Sequence, residues 1–368
     1  MCDIGLNTAN LTVGYGKKAV IGGVEINAER GKILTLIGPN GAGKSTVLKT
    51  LCRQLAPLDG AVYIGKNKLE DLSGNELAKS VAALLTGRTK TEYMRCIDVV
   101  EMGRYPYTGK FGVLNDHDRE KVIEAVKKVD IESIAERDFE RISDGQKQRV
   151  LLAGAICREP QVLILDEPTT FLDIKYKLEL MDILKKLASE QNTAIILSLH
   201  ELELAQRVSD KILCIKGERP DRIGTPEEIF SGSYIEELYD IKIGTFCQQY
   251  GTPELIKQEG KPDVFVIGGG GDGIAVYREL RRKGIPFAAG IIHENDIEYP
   301  AASALSAQLV SEKAFEPVSY ESYEKALQLM KSCNTVICAV KRFGTMNEPS
   351  RKLLNEAENR GMLKKGVN

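Results

Sequence analysis

Apolar positions recur along this chain at two different spacings. Residues 1–30 alternate apolar and polar side chains (NLTVGYG, then AVIGGVEINA), the period expected of half-buried strands. Short, continuous apolar runs follow at ILTLIG (33–38), VYIG, VAALLT, QVLILD, TAIILSL and KILCIK. Between them lie segments with helical spacing, such as REKVIEAVKKVDI and YKLELMDILKKLASE. Strands alternating with helices predict an α/β protein with a largely parallel sheet covered by helices. From about 88 to 160 the pattern is rich in helix and poor in strand, as expected of a helical subdomain inserted into the α/β core. The series ends near 244. Residues 245–260, with scattered Gly, Pro and polar side chains, read as a linker. A second series fills 261–368: DVFVIG, a helix to about 283, PFAAGII, a helix, AQLVS, a helix from Tyr320, NTVICAV and a final helix.

Composition narrows the class without changing this outline. The 368 residues are 43% hydrophobic and 28% charged, with a formal net charge of −2. That balance suits a globular protein of two domains and gives no basic field for nucleic acid. No stretch approaches the length of apolar sequence that a membrane helix needs, and MCDIGLNTAN lacks the order of a signal peptide. Eight cysteines are scattered, none in a C-x-x-C pair, and several lie in apolar runs (KILCIK, TVICAV). They read as reduced, buried small hydrophobes.

The chemistry concentrates in GPNGAGKST, residues 38–46. Gly38, Gly41 and Gly43, with Pro39, Asn40 and Ala42, allow the backbone to wrap a phosphate chain and donate successive N–H groups to it. Lys44 brings positive charge to the β- and γ-phosphates, Ser45 a hydroxyl for Mg²⁺, and Thr46 continues the helix. In VLILDEP (162–168) a buried strand ends in two acids. Asp166 is placed to hold the Mg²⁺ shell, and Glu167 to orient or polarise an attacking water. ISDGQKQRV (142–150) precedes that strand, and its Ser143, Asp144, Gly145 and Gln146 make a good helix start.

A phosphate loop, an intervening S-x-G-Q and an acidic strand end, in this order, resemble the ATPase subunits of ABC transporters. The resemblance covers residues 1 to about 243 and implies an ABC-type P-loop NTPase fold that binds ATP and Mg²⁺. It implies that Ser143, Gly145 and Gln146 act in trans in a head-to-tail homodimer, the Ser and Gly touching the γ-phosphate of an ATP held by the partner, with Asp144 of the same signature standing where the family usually has Gly. It further implies that Tyr15 stacks on adenine, that Asp173 in TTFLD lies in a loop crossing the dimer interface, and that His200 contacts the γ-phosphate. One position departs: Thr86 stands where the family usually has Gln, so it is left out of the expected metal ligands, Ser45 and Asp166.

GRYPYTGKFG (103–112) resembles a stretch of the ATPases that serve importers of iron–siderophore complexes, haem and vitamin B12. The implied activity is ATP hydrolysis powering import through a multi-span permease, at the cytoplasmic face of the membrane. A substrate-binding protein is an indirect partner. A plainer reading is a turn packed on the helical subdomain. A chromosome-structuring ATPase is disfavoured, because no sustained heptad pattern separates Lys44 from Ser143. An alternative to chelate import is an ABC ATPase coupled to a ligand-sensing or enzymatic C-terminal domain.

The 261–368 segment reads as a small Rossmann-like α/β domain. In VFVIGGGGDG, Gly268, Gly270 and Gly273 match G-x-G-x-x-G after a strand, a candidate ligand loop. The plainer alternative is a tight turn with Asp272 capping the next helix. HEND, with His293, Glu294 and Asp296, is the other polar cluster of note.

Overall fold

A computed structural model of the chain describes residues 3–85, 93–242, 244–247 and 252–364. Thr86 lies outside them. The chain forms two compact units, Met1–Tyr239 and Asp240–Asn368.

The first unit contains a six-stranded sheet. Its order is Arg219–Gly224, Lys211–Lys216, Ile33–Ile37, Ala194–Ser198, Val162–Asp166 and Val81–Leu84. All neighbours are parallel except the first pair. The three central strands are buried at every residue, which explains their unbroken apolar runs. The N-terminal strands build a separate antiparallel sheet around Ile4–Tyr15, flanked by Lys18–Val24, Asn27–Glu29 and Asp59–Ile64. VYIG therefore belongs to this second sheet and not to the parallel series. A four-residue apolar run carries no direction; pairing of Leu6 with Ile64 supplies it. The two sheets share a core in which Leu34, Leu36, Val47, Leu48, Val62 and Ile164 are buried. Each such side chain contributes roughly 1.5–3 kcal/mol on burial.

Between Val81–Leu84 and Val162–Asp166 the described residues hold helices, Cys96–Glu101, Asp116–Lys128 and Asp144–Ile156, with no strand. The GRYPY segment is a 3-10 turn, Met102–Tyr107, that packs inward at two points. Arg104, 2% exposed, donates through Nε to Asp118 at 2.9 Å and through a terminal nitrogen to the Cys157 carbonyl at 2.8 Å. Its guanidinium lies 4.0 Å from the Tyr107 ring centre, and the Tyr107 hydroxyl donates to the Arg158 carbonyl. Tyr105, Phe111 and Val113 point to solvent.

The second unit is a four-stranded parallel sheet in the order Gln308–Glu312, Phe287–His293, Val264–Ile267 and Thr335–Cys338. Alternate residues of the Val264–Ile267 strand enter different cores. Val264 and Val266 pack with Tyr277, Leu280 and Ala302; Phe265 and Ile267 pack with Ala326, Met330 and Leu353. Helices thus cover both faces, as a parallel sheet requires. Within the expected linker, Thr245–Cys247 pairs antiparallel with Thr252–Glu254, so part of it is a two-stranded ribbon of the second unit.

Candidate functional site

The segment 38–43 connects the buried strand Ile33–Ile37 to the helix Lys44–Leu51. Gly38 has φ of 147°, and a Cβ there would lie 2.2 Å from the Ile215 carbonyl oxygen. Gly43, with φ of 94°, has no space for a side chain beside Ile21 and Val20. Only glycine serves at these two points. Lys44 is 5% exposed, and its ammonium donates to the carbonyl oxygens of Gly38 at 2.7 Å and Pro39 at 3.0 Å. Burial pushes its pKa down, while the carboxylates of Glu167 and Asp166 counter part of that shift. Thr46 is buried in the first helical turn, and the Ala42 amide donates to the Pro39 carbonyl.

Two strand ends bring the acids to this loop. Asp166 Oδ1 accepts from the Ser45 hydroxyl at 3.1 Å and from the Ser198 hydroxyl at 2.7 Å. The same Ser198 oxygen accepts the Glu167 backbone N–H at 2.9 Å. Ser198 is fully buried at the end of the neighbouring strand, so one hydroxyl fixes both acidic positions. Glu167 has a positive φ of 50°, which turns the chain sharply out of the strand, and its carboxylate meets His200 Nε2. Tyr15, Asn40, Lys44, Ser45, Glu167 and His200 line one open cleft of about 510 Å³.

A hydroxyl and a carboxylate 3.1 Å apart are hard oxygen donors suited to Mg²⁺. Among the described residues no group of three or more His, Cys, Asp or Glu could hold a metal ion.

The remaining candidate residues sit at helix starts. Ser143 and Gln146 form a reciprocal capping box: the Ser143 Oγ accepts from the Gln146 amide at 3.3 Å, and the Gln146 side chain accepts from the Ser143 amide at 3.0 Å. Asp144 opens that helix, and a Cβ on Gly145 would lie 3.3 Å from Leu172. Two residues on, the Gln148 amide donates to the Pro168 carbonyl, linking this helix to the turn after Glu167. Asp173 caps the helix Ile174–Gln191 by accepting from Tyr176 N at 3.0 Å. Ser198 and Gln148 carry no sequence signal of their own. Each lies beside a recognised motif without belonging to its pattern.

The model of the ABC transporter family matches residues 21–170. An ABC transporter ATP-binding protein of Methanocaldococcus jannaschii, MJ0873, is 45% identical over 276 residues, which are 75% of this chain and 95% of that protein. The chain belongs to the ABC transporter ATP-binding proteins. The Bacillus subtilis iron(3+)-hydroxamate import ATP-binding protein FhuC is 36% identical to this cassette protein, over 64% of the chain and 88% of its own. The cobalamin import ATP-binding protein BtuD of Halobacterium salinarum is 28% identical, over 84% of the chain and 79% of its own. Among solved structures, the dimeric MJ0796 cassette superposes with a TM-score of 0.55 at 27% identity, covering 60% of this chain and 98% of that one. The MJ0874 family model matches residues 287–364 of the second unit.

The glycine-rich loop of that second unit is organised differently from the loop at 38–43. The Gly269 and Gly273 amides each donate to Glu298 Oε2 at 2.9 Å, and the Gly270 amide donates to Asp296 Oδ2 at 2.7 Å. Glu298 is fully buried and also accepts from the Tyr277 hydroxyl. A Cβ on Gly268 or Gly273 would lie 2.0 or 2.1 Å from Glu298 Oε1. Donors that would face a pyrophosphate thus point at carboxylates of the same chain. Asp272 does not cap the next helix, which starts without a side-chain cap; it bonds Lys341 through both backbone N–H and Nζ. Of the HEND residues, His293 contacts the Glu316 carbonyl and Asp296 belongs to the glycine loop.

Proposed function

We propose that this ATP-binding protein hydrolyses ATP to power import of a metal chelate, an iron–siderophore, haem or cobalamin, through a membrane permease. The observation that carries the hydrolytic reading is the convergence of Lys44, Ser45 and the Glu167–His200 pair on one cleft, with Asp166 bonded to Ser45. Lys44 and the amides of 38–46 bind the phosphates. Ser45 and Asp166 hold Mg²⁺, which when bound screens phosphate charge. Glu167 orients the attacking water and accepts its proton, and His200, in contact with Glu167, faces the γ-phosphate. Tyr15 stacks on the base. In a head-to-tail homodimer Ser143, Asp144, Gly145 and Gln146 complete the partner's site, and Asp173 lies at the interface. The Ser143 oxygen already accepts a helix amide, which leaves its O–H proton to donate outward.

The import reading is supported by the iron-hydroxamate and cobalamin import proteins among the relatives. The exposed Tyr105, Phe111 and Val113 beside the buried Arg104 provide an apolar surface for a permease at the cytoplasmic face. A substrate-binding protein would then act outside, without touching this chain. No described helix is long and apolar enough to cross a membrane, in keeping with a peripheral subunit.

Affinity purification of the full chain from its native membranes tests this reading. A multi-span permease should co-purify, and the complex should hydrolyse ATP in a manner lost in Lys44→Ala. Recovery without any permease, or turnover that survives the substitution, would overturn it.

A further inference from the structure

The loop at 38–43 is held by one side chain from far along the chain, 201 residues beyond its first glycine. The short helix Tyr234–Tyr239 lies against the strand Lys211–Lys216, with Tyr234, Ile235 and Leu238 buried. Lys216 Nζ donates to the Glu237 carbonyl at 2.6 Å and ties the helix to that strand. The strand is the parallel neighbour of Ile33–Ile37, with Cys214 beside Ile37. Tyr239, at the end of the helix, therefore reaches the point where Ile33–Ile37 gives way to the loop, and its hydroxyl accepts the Gly38 N–H at 3.1 Å. The Gly38 carbonyl accepts in turn from the Lys44 ammonium at 2.7 Å. One residue is thus gripped on both sides, its N–H by Tyr239 and its C=O by the phosphate-binding lysine.

Gly38 is buried, so without the phenol its amide loses its acceptor away from water, which is costly. Glycine also has the widest backbone freedom of any residue, and Gly38 sits at a φ of 147°. A tie at this residue removes freedom that nucleotide binding would otherwise have to remove. We propose that Tyr239 is a positioning residue for ATP: by fixing the Gly38 amide it orients the Gly38 carbonyl that parks Lys44, and so preorganises the loop for the phosphates. This role rests on the reading of 38–46 as the ATP phosphate loop. Tyr234, at the other end of the same helix, supplies the comparison, because its hydroxyl donates to Asp221 Oδ2 at 2.7 Å instead.

Phosphate release at a series of ATP concentrations, with fluorescent-nucleotide titration of the full chain, tests the proposal in Tyr239→Phe, Tyr234→Phe and Lys44→Ala. Both phenylalanine variants keep the ring and lose one hydroxyl. Tyr239→Phe should raise the KM for ATP and the nucleotide Kd roughly three- to tenfold, the scale of one hydrogen bond, and leave kcat within about twofold. Tyr234→Phe should leave KM and Kd at the parental values. A shift common to both variants reports the packing of the helix and overturns the role, as does an unchanged KM in Tyr239→Phe. Lys44→Ala should abolish binding. Tight ATP binding in that variant would sink the phosphate-loop reading, and the role of Tyr239 with it. Lost binding there, beside a parental KM in Tyr239→Phe, would overturn the tyrosine's role alone.

Discussion

Gly273 donates its amide to Glu298 Oε2 at 2.9 Å, and the other oxygen of that carboxylate occupies the space a Gly273 side chain would need. The glycine spacing of this loop therefore follows from the shape of a buried acid in the same chain. Replacing Glu298 by Ala strips the acceptor from two amides and the Tyr277 hydroxyl. The expected loss is about 2–4 kcal/mol in the unfolding of the second unit, read from urea denaturation. Gly273→Ala should destabilise the same transition by collision. Unaltered midpoints in both variants would show that the carboxylate does not organise the loop.

Glu167→Gln should lower ATP turnover by roughly 10²–10⁴-fold, the usual contribution of a positioned acid–base group, while nucleotide binding persists. Binding by fluorescent-nucleotide titration, beside phosphate release, separates the two. Turnover at the parental rate would remove Glu167 from the catalytic role.

Ser198→Ala removes one hydroxyl from two partners, Asp166 Oδ1 and the Glu167 amide. The expected result is a stability loss of about 1–3 kcal/mol together with a shift of the Mg²⁺ titration of turnover to higher concentration. A magnesium titration of turnover identical to the parent would mean that Ser45 and the strand itself suffice to place both acids.

Ser143→Ala loses the helix cap as well as the outward O–H. Capping should cost about 1 kcal/mol. Ser143→Asp keeps a capping acceptor but sets a negative charge where a phosphate is expected. Stability close to the parent, with ATP turnover strongly reduced, is the expected signature of this second variant. Full activity in it would place the phosphate elsewhere.

Alkaline pH should weaken the fold. Burial pushes the Cys157 thiol up to about 12 and the Cys214 thiol up to about 11. Unfolded thiols titrate near 8.5, so the unfolded chain gives up protons first. Stability from these groups is complete below that value and is lost as pH rises through the folded values. Each adds a slope of about 1.4 kcal/mol per pH unit within its window. Urea midpoints measured from pH 8 to 10.5 should fall, and Cys157→Ser should flatten the decline.

The site around residues 38–46 was legible in the sequence because wrapping a phosphate restricts the residue type at nearly every position of the loop. The doubly covered sheet of the second unit was legible for a related reason: apolar runs bounded by turns mark strands buried on both faces. Glu298 was not. It lies 25 residues from Gly273, at the edge of a helix, where an acid looks like ordinary surface. G-x-G-x-x-G records close approach to a negative group without recording whose group it is. Ser198 leaves no mark either, because a hydroxyl ending a strand has no spacing signature. The direction of the VYIG strand was equally hidden, since pairing with a distant segment decides it.

The hydroxyl of Tyr239 accepts the Gly38 amide at 3.1 Å, and burial pushes that phenol up to about 12, so it stays protonated. Tyr239 is also the last residue of the first unit. The chain thus leaves its nucleotide-binding half directly from a side chain moored to the opening glycine of the phosphate loop. Tension on the backbone at Asp240 would be felt first at that mooring, one peptide bond away. The last residue of the first unit is therefore tied to the phosphate loop through its own hydroxyl.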